Sequence, residues 1–401
     1  MIKNVNDIFS SSAQRMQPSA IRECLKLTQQ PDIISFAGGL PAPESFPVKD
    51  LKDIAAEVMQ DDATAALQYT TTEGDKHLRE QLVQRYRAEG CDISLDNVVV
   101  STASQQALDL LGKIFIDAGD RIICGLPSYL GGLSAFQAYG ANLTGIPFDA
   151  MGMRSDLLEE TLKELKAKND LPKFIYLIPD FQNPAGITMP KQRRIEILDI
   201  AKKYDILIIE DSPYREIRFE GEAQPMLYSL DNSGHVITLG TFSKTLAPGF
   251  RLGWLIGHPD ILAKYIQAKQ SADLCTSTLI QKMAARYLEK GLMDKNLKYT
   301  IRNYREKRDL MLDGFRKHMP EGVSWTEPEG GLFLFLYLPK HMDATDLFYK
   351  AVEQKVAFVQ GEVFHSDGSG KNTMRINFSF VNKEKNAEGV KRLAKVIKDN
   401  M

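Results

Sequence analysis

Lys244 lies in the segment TFSKTLAPGFRLGW, between two hydroxyl-bearing residues and ahead of a glycine-containing return to an apolar run. Burial and neighbouring cations lower the pKa of a lysine, and its neutral amine can then form a Schiff base with an aldehyde in a closed site. Arg251, seven residues later, supplies such a cation and can bind a phosphate group through two parallel hydrogen bonds. A single lysine is more commonly a solvated surface charge, so the interpretation of Lys244 depends on the residues near it.

Two further polar segments follow apolar runs that predict strands. Asp211, in EDSPY, follows the run ILIIE and is expected at the end of a central strand. A buried carboxylate there needs a cationic partner, such as a protonated pyridine nitrogen. Ser104 opens a helix after another run, where free N–H groups and the helix dipole attract a phosphate. Alone, Asp211 is better explained as a cap of the next turn and Ser104 as an ordinary N-cap. Together with Lys244, they predict a site for a phosphorylated aromatic cofactor.

Short runs rich in β-branched residues recur through the middle of the chain, each followed by a polar or Gly/Pro turn and then a helical pattern. That order predicts an α/β fold with a mostly parallel central sheet covered by helices. Ligands of such sheets bind beyond the carboxyl ends of the strands, so the polar residues after each run are the candidate site residues. The runs are Val98 to Val100, Arg121 to Cys124, Phe174 to Ile178, Ile206 to Ile209, His235 to Leu239 and Gly253 to Ile256.

The last third of the chain predicts a second, smaller α+β domain. Apolar residues take helical spacing from Leu279, and the helical stretch to Lys317 is expected to bridge the two domains. A strand over 331–338, a helix near 345–354, a strand over 374–380 and a closing helix through 398 follow. We therefore divide the chain into an N-terminal arm with part of the small domain (1–47), a large cofactor-binding domain (48–295) and a C-terminal small domain (296–401).

Composition limits the kinds of partner. The 401 residues are 43% hydrophobic and carry a net charge of −2, with charged residues spread along the chain. This balance favours a globular enzyme with small-molecule partners over binding to nucleic acid or to an anionic membrane, both of which need a concentrated basic face. The four cysteines are far apart and no metal-ligand or nicotinamide motif is present, so no disulfide framework and no metal are expected. The longest apolar stretch, Leu332 to Leu338, is too short to span a bilayer, which predicts a cytoplasmic protein.

Eight motifs extend over most of the chain, from Ser35 to Phe380. They are SFAGGLPAPESFP, LQYTTTEG, STASQQALDLL, PSYLGG, PDFQNPAG, EDSPYRE, GTFSKTLAPGFRLGW and MRINFS. In this order and at this spacing they resemble the class I/II, fold-type I aminotransferases, which use pyridoxal 5′-phosphate (PLP). The likeness is strongest to the 2-aminoadipate/kynurenine aminotransferase group.

The resemblance implies a role for each residue of the catalytic centre. Lys244 would carry PLP as a Schiff base, and Asp211 would pair with the pyridinium nitrogen. Asn183 and Tyr214 would hydrogen-bond the phenolic oxygen of the cofactor, while Tyr129 would stack on its ring. Lys244, Asp211 and Tyr214 are therefore the predicted catalytic residues.

The resemblance also implies how phosphate and substrate are held. The phosphate ligands would be Ser104, Gln105, Thr241, Ser243 and Arg251, with Tyr69 reaching in from the second subunit of an obligate homodimer whose active sites lie at the interface. The substrate contacts would be Arg375 at the α-carboxylate, the Gly38–Gly39 backbone over it, Asn183, Tyr69 and Arg22. Arg22, in PSAIRECLKL, would meet a distal carboxylate and swing out for apolar donors, although an exposed helix charge is the commoner role of an arginine.

Two positions depart from the usual pattern of this group. Ala103 stands where glycine is frequent before the phosphate-binding serine, and Thr241 stands where serine is frequent. Threonine keeps the hydroxyl, so little is expected to change at Thr241. Alanine resists φ > 0, which predicts a different orientation of the first N–H groups of the helix.

The predicted reaction moves an amino group from 2-aminoadipate or an aromatic or branched-chain amino acid to a 2-oxo acid such as 2-oxoglutarate, with ping-pong kinetics. A PLP-dependent β-lyase is an alternative, because fold and cofactor do not determine the reaction. A ligand-sensing transcription regulator with an aminotransferase-like body is a second alternative. It is disfavoured because only about thirty residues precede Ser35, fewer than a DNA-binding domain needs.

Overall fold

The structure is a computed structural model that describes residues 5–16, 18 and 32–401. Its strands, β1 to β14 in chain order, are Ile34–Ser35, Val98–Ser101, Arg121–Leu126, Asn142–Asp149, Gly152–Met153, Phe174–Leu177, Leu207–Asp211, Val236–Thr241, Gly253–Ile256, Ser324–Trp325, Phe333–Tyr337, Val356–Ala357, Val359–Gln360 and Thr373–Asn377. Its α-helices are Ser11–Arg15, Val48–Asp61, Ala63–Ala66, Lys76–Ala88, Ala103–Phe115, Leu130–Ala138, Ser155–Ala167, Lys191–Tyr204, Leu227–Leu230, Pro259–Ala272, Thr278–Glu289, Leu292–His318, Ala344–Glu353 and Lys383–Lys398. Within the described ranges, no helix has the length and apolar character needed to cross a membrane.

An eight-stranded sheet has the strand order β2-β9-β8-β7-β6-β3-β4-β5. Neighbouring strands in the series β8-β7-β6-β3-β4 pair in parallel. In contrast, β9 is antiparallel to both of its neighbours, β2 and β8, and β5 is an antiparallel edge strand. The predicted mostly parallel sheet is confirmed. Because β3, β6, β7 and β8 run in the same direction, the residues that follow them meet at one edge of the sheet.

The strand β6 shows why this sheet is formed by continuous apolar runs. Phe174 and Tyr176 pack in one hydrophobic cluster, and Ile175 and Leu177 pack in another. Successive side chains of a strand point to opposite faces, so a sheet buried on both faces requires apolar residues at every position. All six runs predicted from the sequence form strands of this sheet.

A second sheet, β10-β11-β14-β13, is antiparallel and lies in the last third of the chain. The predicted helices there are present as Ala344–Glu353 and Lys383–Lys398, and the Leu292–His318 helix packs along the second of them. The strand β1 pairs in parallel with β12, which joins the segment at Ile34 to this part of the chain. The predicted strand over 374–380 is shorter than expected and ends at Asn377.

Two further features differ from the sequence prediction. Gly291, at φ +65°, separates the helices Thr278–Glu289 and Leu292–His318, where the pattern indicates one helical stretch. Glycine adopts this left-handed conformation readily and commonly ends a helix. The strand β4 is absent from the predicted runs because it is only partly buried and contains Gly145 and Pro147, two residue types that are unfavourable in strands.

Candidate active site

A cavity of about 370 Å³ lies at the carboxyl ends of the parallel strands. Its lining includes the sequence-predicted residues Gly39, Ser104, Gln105, Tyr129, Asn183, Asp211, Tyr214, Thr241, Ser243, Lys244, Arg251 and Arg375. Arg375 lies on β14, so both sheets contribute to the cavity. Tyr69 does not line it, and the side chain of Tyr69 is 76% exposed. Arg22 lies outside the described residues.

Lys244 lies in a turn that directly follows β8. Its Nζ donates a hydrogen bond to Gly39 O at 2.9 Å, so the acceptor is a backbone carbonyl and not a carboxylate. Burial lowers the pKa of Lys244 to about 8, and the cations Arg375 and Arg251 act in the same direction. The charge of Asp211 opposes this shift of the Lys244 pKa and is outweighed. A substantial fraction of the Lys244 amine is therefore neutral near pH 8, as a nucleophile toward an aldehyde must be.

Asp211 ends β7 and is only 2% exposed. Its Oδ2 accepts a hydrogen bond from Tyr176 Oη at 2.9 Å, whereas Oδ1 has no hydrogen-bond partner among the described residues. Burial raises the pKa of Asp211 to about 7, although Tyr176 and the charge of Lys244 lower it. Burying such an oxygen is costly unless a donor or a cation reaches it, and a protonated pyridine nitrogen is both.

Tyr176 is a site residue that the sequence analysis missed. It lies within the apolar run of β6 and is fully buried, so its pattern is that of a core residue. The signal that could have identified it is its hydroxyl, because a buried tyrosine O–H usually needs a hydrogen-bond partner. The rings of Tyr176 and Phe136 pack at 76° to each other with 5.5 Å between their centroids, and this packing restricts the direction of the hydroxyl.

Asn183, Tyr214 and Arg375 form a hydrogen-bonded group in the cavity. Arg375 Nη1 donates to Asn183 Oδ1 at 2.9 Å, and Asn183 Nδ2 donates to Tyr214 Oη at 3.4 Å. Arg375 Nη2 donates to Ala37 O at 2.8 Å, and the guanidinium lies over the ring of Phe333 at 4.4 Å from its centroid. These contacts fix the plane of a buried guanidinium, which suits two-point binding of a carboxylate.

The start of the helix that follows β2 and the turn after β8 provide hydrogen-bond donors. Ser104 and Gln105 lie in the first turn of this helix, where backbone N–H groups have no partner within the helix. In the turn, Thr241 Oγ1 accepts a hydrogen bond from Ser243 N at 3.2 Å, which holds the two hydroxyl side chains together. Arg251 adds a positive charge to the same cavity. Free N–H groups, hydroxyls and a guanidinium are donors that bind phosphate.

Tyr129 and Ala103 complete this part of the cavity. Tyr129 Oη donates to Gln105 Oε1 at 3.4 Å, and the ring of Tyr129 lines the cavity. Burial raises the pKa of Tyr129, so its hydroxyl stays protonated at neutral pH. Ala103 has φ +61°, so it adopts the left-handed conformation despite its Cβ. The alanine therefore does not prevent the conformation that glycine ordinarily provides.

The residues of the cavity fit PLP. A lysine with a lowered pKa suits the aldehyde, and the helix start at Ser104 suits the phosphate. Asp211 Oδ1, to which no described residue donates a hydrogen bond, suits the ring nitrogen. A larger cleft of about 690 Å³ lies beside Phe148 and Trp325, but none of the described residues that line it is a lysine. The smaller cavity, which Lys244 lines, therefore fits Schiff-base chemistry better.

Comparisons with known proteins agree with this fit. The family model described as aminotransferase class I and II matches residues 32–393. Aromatic-amino-acid aminotransferase 1 of Thermococcus litoralis is 48% identical over 395 residues, which cover 98% of this chain and 94% of that protein.

Two solved structures share the whole architecture. The Pyrococcus horikoshii kynurenine aminotransferase in complex with PMP, with KYN as substrates and KYA as products, has a TM-score of 0.96 at 45% identity and covers 100% of this chain and 99% of that chain. LysN, the α-aminoadipate aminotransferase of Thermus thermophilus complexed with N-(5′-phosphopyridoxyl)-L-leucine, has a TM-score of 0.91 at 38% identity and covers 99% of this chain and 98% of that chain. The predicted fold type, enzymatic activity and cofactor are thereby confirmed. The chain belongs to the aminotransferase class I and II family and is a PLP-dependent aminotransferase.

Proposed function

We propose that this aminotransferase takes its amino group from 2-aminoadipate or from aromatic or branched-chain amino acids and passes it to a 2-oxo acid such as 2-oxoglutarate. The observation that carries the proposal is that Lys244, Asp211 and Arg375 line one cavity. The names of the relatives support this range of donors. The aromatic ring of Phe333 in the lining supports an apolar or aromatic substrate side chain.

The residues of the cavity have separate tasks in this reaction. Bound PLP supplies an electron sink that weakens the Cα–H bond of the amino acid. Arg375 holds the α-carboxylate through paired N–H groups, and Asp211 keeps the ring nitrogen protonated. Lys244 would act as the base that takes the proton from the substrate α-carbon, and its ammonium form would be the acid that gives this proton up again. Tyr214 and Asn183 would hydrogen-bond the phenolic oxygen of the cofactor. The residues that would bind its phosphate are Ser104, Gln105, Thr241, Ser243 and Arg251, all of which line the cavity.

The pH dependence of cofactor uptake tests the role of Lys244. Only the neutral amine attacks an aldehyde, and the pKa of Lys244 is lowered to about 8. The rate of covalent PLP uptake by the apoprotein should therefore rise with pH and level off above about pH 8, whereas an ordinary lysine would continue to gain reactivity to about pH 10.4. Stopped-flow absorbance at constant ionic strength measures this rate, and a rise that continues through about pH 10 would contradict the lowered pKa.

We further propose a homodimer in which Tyr69 reaches the phosphate of the partner's cavity. Tyr69 and Leu67 are 76% and 69% exposed, and neighbouring exposed apolar side chains favour an interaction surface.

The proposed division of the chain into 1–47, 48–295 and 296–401 is supported by the sheets, because the eight-stranded sheet lies between Val98 and Ile256, within the second of these ranges. A cytoplasmic location stays a prediction.

We propose, from the sequence alone, that Arg22 determines the preference for dicarboxylic donors. Arg22→Ala should lower kcat/KM for 2-aminoadipate by about tenfold or more relative to phenylalanine, because it removes a hydrogen bond to a charged group. The ratio of the two half-reaction rate constants measures the effect. Arg15→Ala, a nearby arginine substitution, is the control and should leave the ratio unchanged. Equal losses for both donors on Arg22→Ala would mean that Arg22 acts on the fold and not on the choice of substrate.

A further inference from the structure

The turn that starts the phosphate-facing helix is strained. Ala103 is held at φ +61°, a conformation that is unfavourable for a residue with a Cβ. On one side the turn rests against β9, where a Cβ on Gly253 would come within 2.9 Å of Ala103 C and Ser104 N. Strained backbone persists only where the surrounding structure holds it in place. The contacts on the other side of the turn therefore indicate which residues hold Ala103 in this conformation.

Those contacts start at Thr102, the residue before the strained alanine. Thr102 Oγ1 donates to Asp273 Oδ2 at 2.8 Å and lies 3.1 Å from Thr276 Oγ1. Thr102 N donates to Gln106 Oε1 at 2.8 Å, and Gln106 Nε2 donates to the same Asp273 Oδ2 at 2.7 Å. The other carboxylate oxygen, Asp273 Oδ1, accepts a hydrogen bond from Lys269 Nζ at 2.6 Å. Asp273 thus connects the end of the Pro259–Ala272 helix with both sides of the turn.

Lys269 is an unusual residue in this position because its side chain is completely buried. Burial opposes ionisation of Asp273, but the hydrogen bonds from Lys269, Gln106 and Thr102 outweigh it and lower the pKa of Asp273 below its ordinary value. The Asp273 side chain is 25% exposed, and neither a partly exposed nor a buried ion pair contributes much net stability. A gain in stability is therefore a weak explanation for the Lys269–Asp273 pair next to this turn. Holding the turn in its orientation is a stronger explanation.

We propose that Asp273, paired with the buried Lys269, is a positioning residue: through Thr102 it holds Ala103 in the left-handed conformation and so directs the N–H groups of the first helical turn at the cofactor phosphate. Neither Asp273 nor Lys269 is among the described residues that line the cavity, so both act through the turn. The proposal rests on the assignment of the phosphate to Ser104 and Gln105.

The test is the dissociation constant of PLP, measured by titrating the apoprotein and following absorbance. Thr102→Val keeps the shape of the side chain but removes the hydroxyl donor, and it should raise the PLP dissociation constant by about tenfold or more, as loss of a hydrogen bond to a charged group implies. Adding Ala103→Gly should restore most of the affinity, because glycine adopts φ > 0 without support. Thr238→Val is the matched control. Its hydroxyl donates to the buried Glu210 at 2.7 Å, so the variant should lose stability without losing PLP affinity.

Asp273→Ala provides a second variant if Thr102→Val does not fold, because it removes the oxygen that accepts hydrogen bonds from Thr102 and Gln106. Removing a negative charge near a phosphate should strengthen binding on Coulombic grounds alone, whereas loss of the positioning contacts should weaken it. Weaker PLP binding by Asp273→Ala therefore supports the proposal. Affinity within about twofold of the wild type for both variants, or a Thr102→Val defect that Ala103→Gly does not relieve, would overturn it.

Ser104→Ala separates this inference from the assignment on which it rests. If Ser104→Ala weakens PLP binding and Thr102→Val does not, the phosphate site stands and the positioning role of Asp273 fails. If neither substitution changes PLP affinity, the assignment of the phosphate to this helix start fails as well. Weakening by both, with rescue of Thr102→Val by Ala103→Gly, supports both.

Discussion

Lys244→Ala is expected to lower kcat by about a thousandfold or more, because one substitution removes both the amine that attaches PLP and the group that moves the proton. PLP should still bind through Asp211 and the phosphate donors. The visible absorption band of the covalently attached cofactor, which should make the wild-type protein yellow, should be lost. Single-turnover kinetics and the absorption spectrum measure the two effects separately.

Lys244→Arg is the control for this experiment. It retains a positive charge in the cavity, but a guanidinium stays protonated and does not attach an aldehyde. Equal loss of kcat in the alanine and arginine variants would assign the effect to the nucleophile and not to the charge. Transamination near the wild-type rate by Lys244→Ala would remove the central residue from the proposed site.

Asp211→Asn is expected to lower kcat by about a hundredfold or more while leaving the fold intact. The amide has nearly the same shape and can still accept the hydrogen bond from Tyr176 Oη, but it has no charge to keep the ring nitrogen protonated. Burial raises the pKa of Asp211 to about 7, so the apoprotein pays a desolvation cost for the carboxylate at higher pH that the amide avoids. Thermal unfolding of the apoprotein above about pH 7 should therefore show no destabilisation by Asp211→Asn.

Glu210→Gln is the matched control for Asp211→Asn. Glu210 is the neighbouring buried carboxylate on β7, but it accepts hydrogen bonds from Leu227 N at 2.8 Å and Thr238 Oγ1 at 2.7 Å and does not line the cavity. Burial raises the pKa of Glu210 as well, but both of its oxygens accept hydrogen bonds and glutamine would replace one of them with an NH₂ donor. Glu210→Gln should therefore lower the free energy of unfolding and leave kcat and its pH dependence unchanged. A near-normal kcat for Asp211→Asn would mean that Asp211 only caps the turn after its strand.

The polar site residues that follow the buried strands could be predicted from the sequence, because the spacing of apolar residues and the place where an apolar run ends are both local features of the chain. Apolar runs such as that ending before Asp211 predict strands buried on both faces, and the edge at which parallel strands end follows from their common direction. Lys244 and Asp211 are therefore found at one edge without knowledge of the three-dimensional structure. Their assignment to PLP depended on the motifs, since each residue alone had a more ordinary explanation.

Other parts of the site depend on contacts between distant residues and left no local signal. Tyr176 has the pattern of a core residue, and only its distance to Asp211 Oδ2 indicates a role. The contact between Thr102 and Asp273 joins residues that are 171 positions apart, so no motif contains both. The expected effect of Ala103 on the turn was inferred from the intrinsic preference of alanine, whereas packing on Gly253 and hydrogen bonds at Thr102 hold the left-handed conformation.

The most direct test of the account follows the nitrogen atom. Purified protein is mixed with ¹⁵N-labelled 2-aminoadipate or phenylalanine and unlabelled 2-oxoglutarate, and the products are analysed by mass spectrometry. The account predicts ¹⁵N-glutamate and the 2-oxo acid of the donor in equal amounts. When 2-oxoglutarate is omitted, each enzyme molecule should convert one donor molecule and then stop. Absence of ¹⁵N-glutamate with these donors, together with continued release of ¹⁵N-ammonia and pyruvate without 2-oxoglutarate from ¹⁵N-labelled β-chloroalanine, which has a leaving group on its β-carbon, would contradict it and would indicate elimination in place of amino transfer.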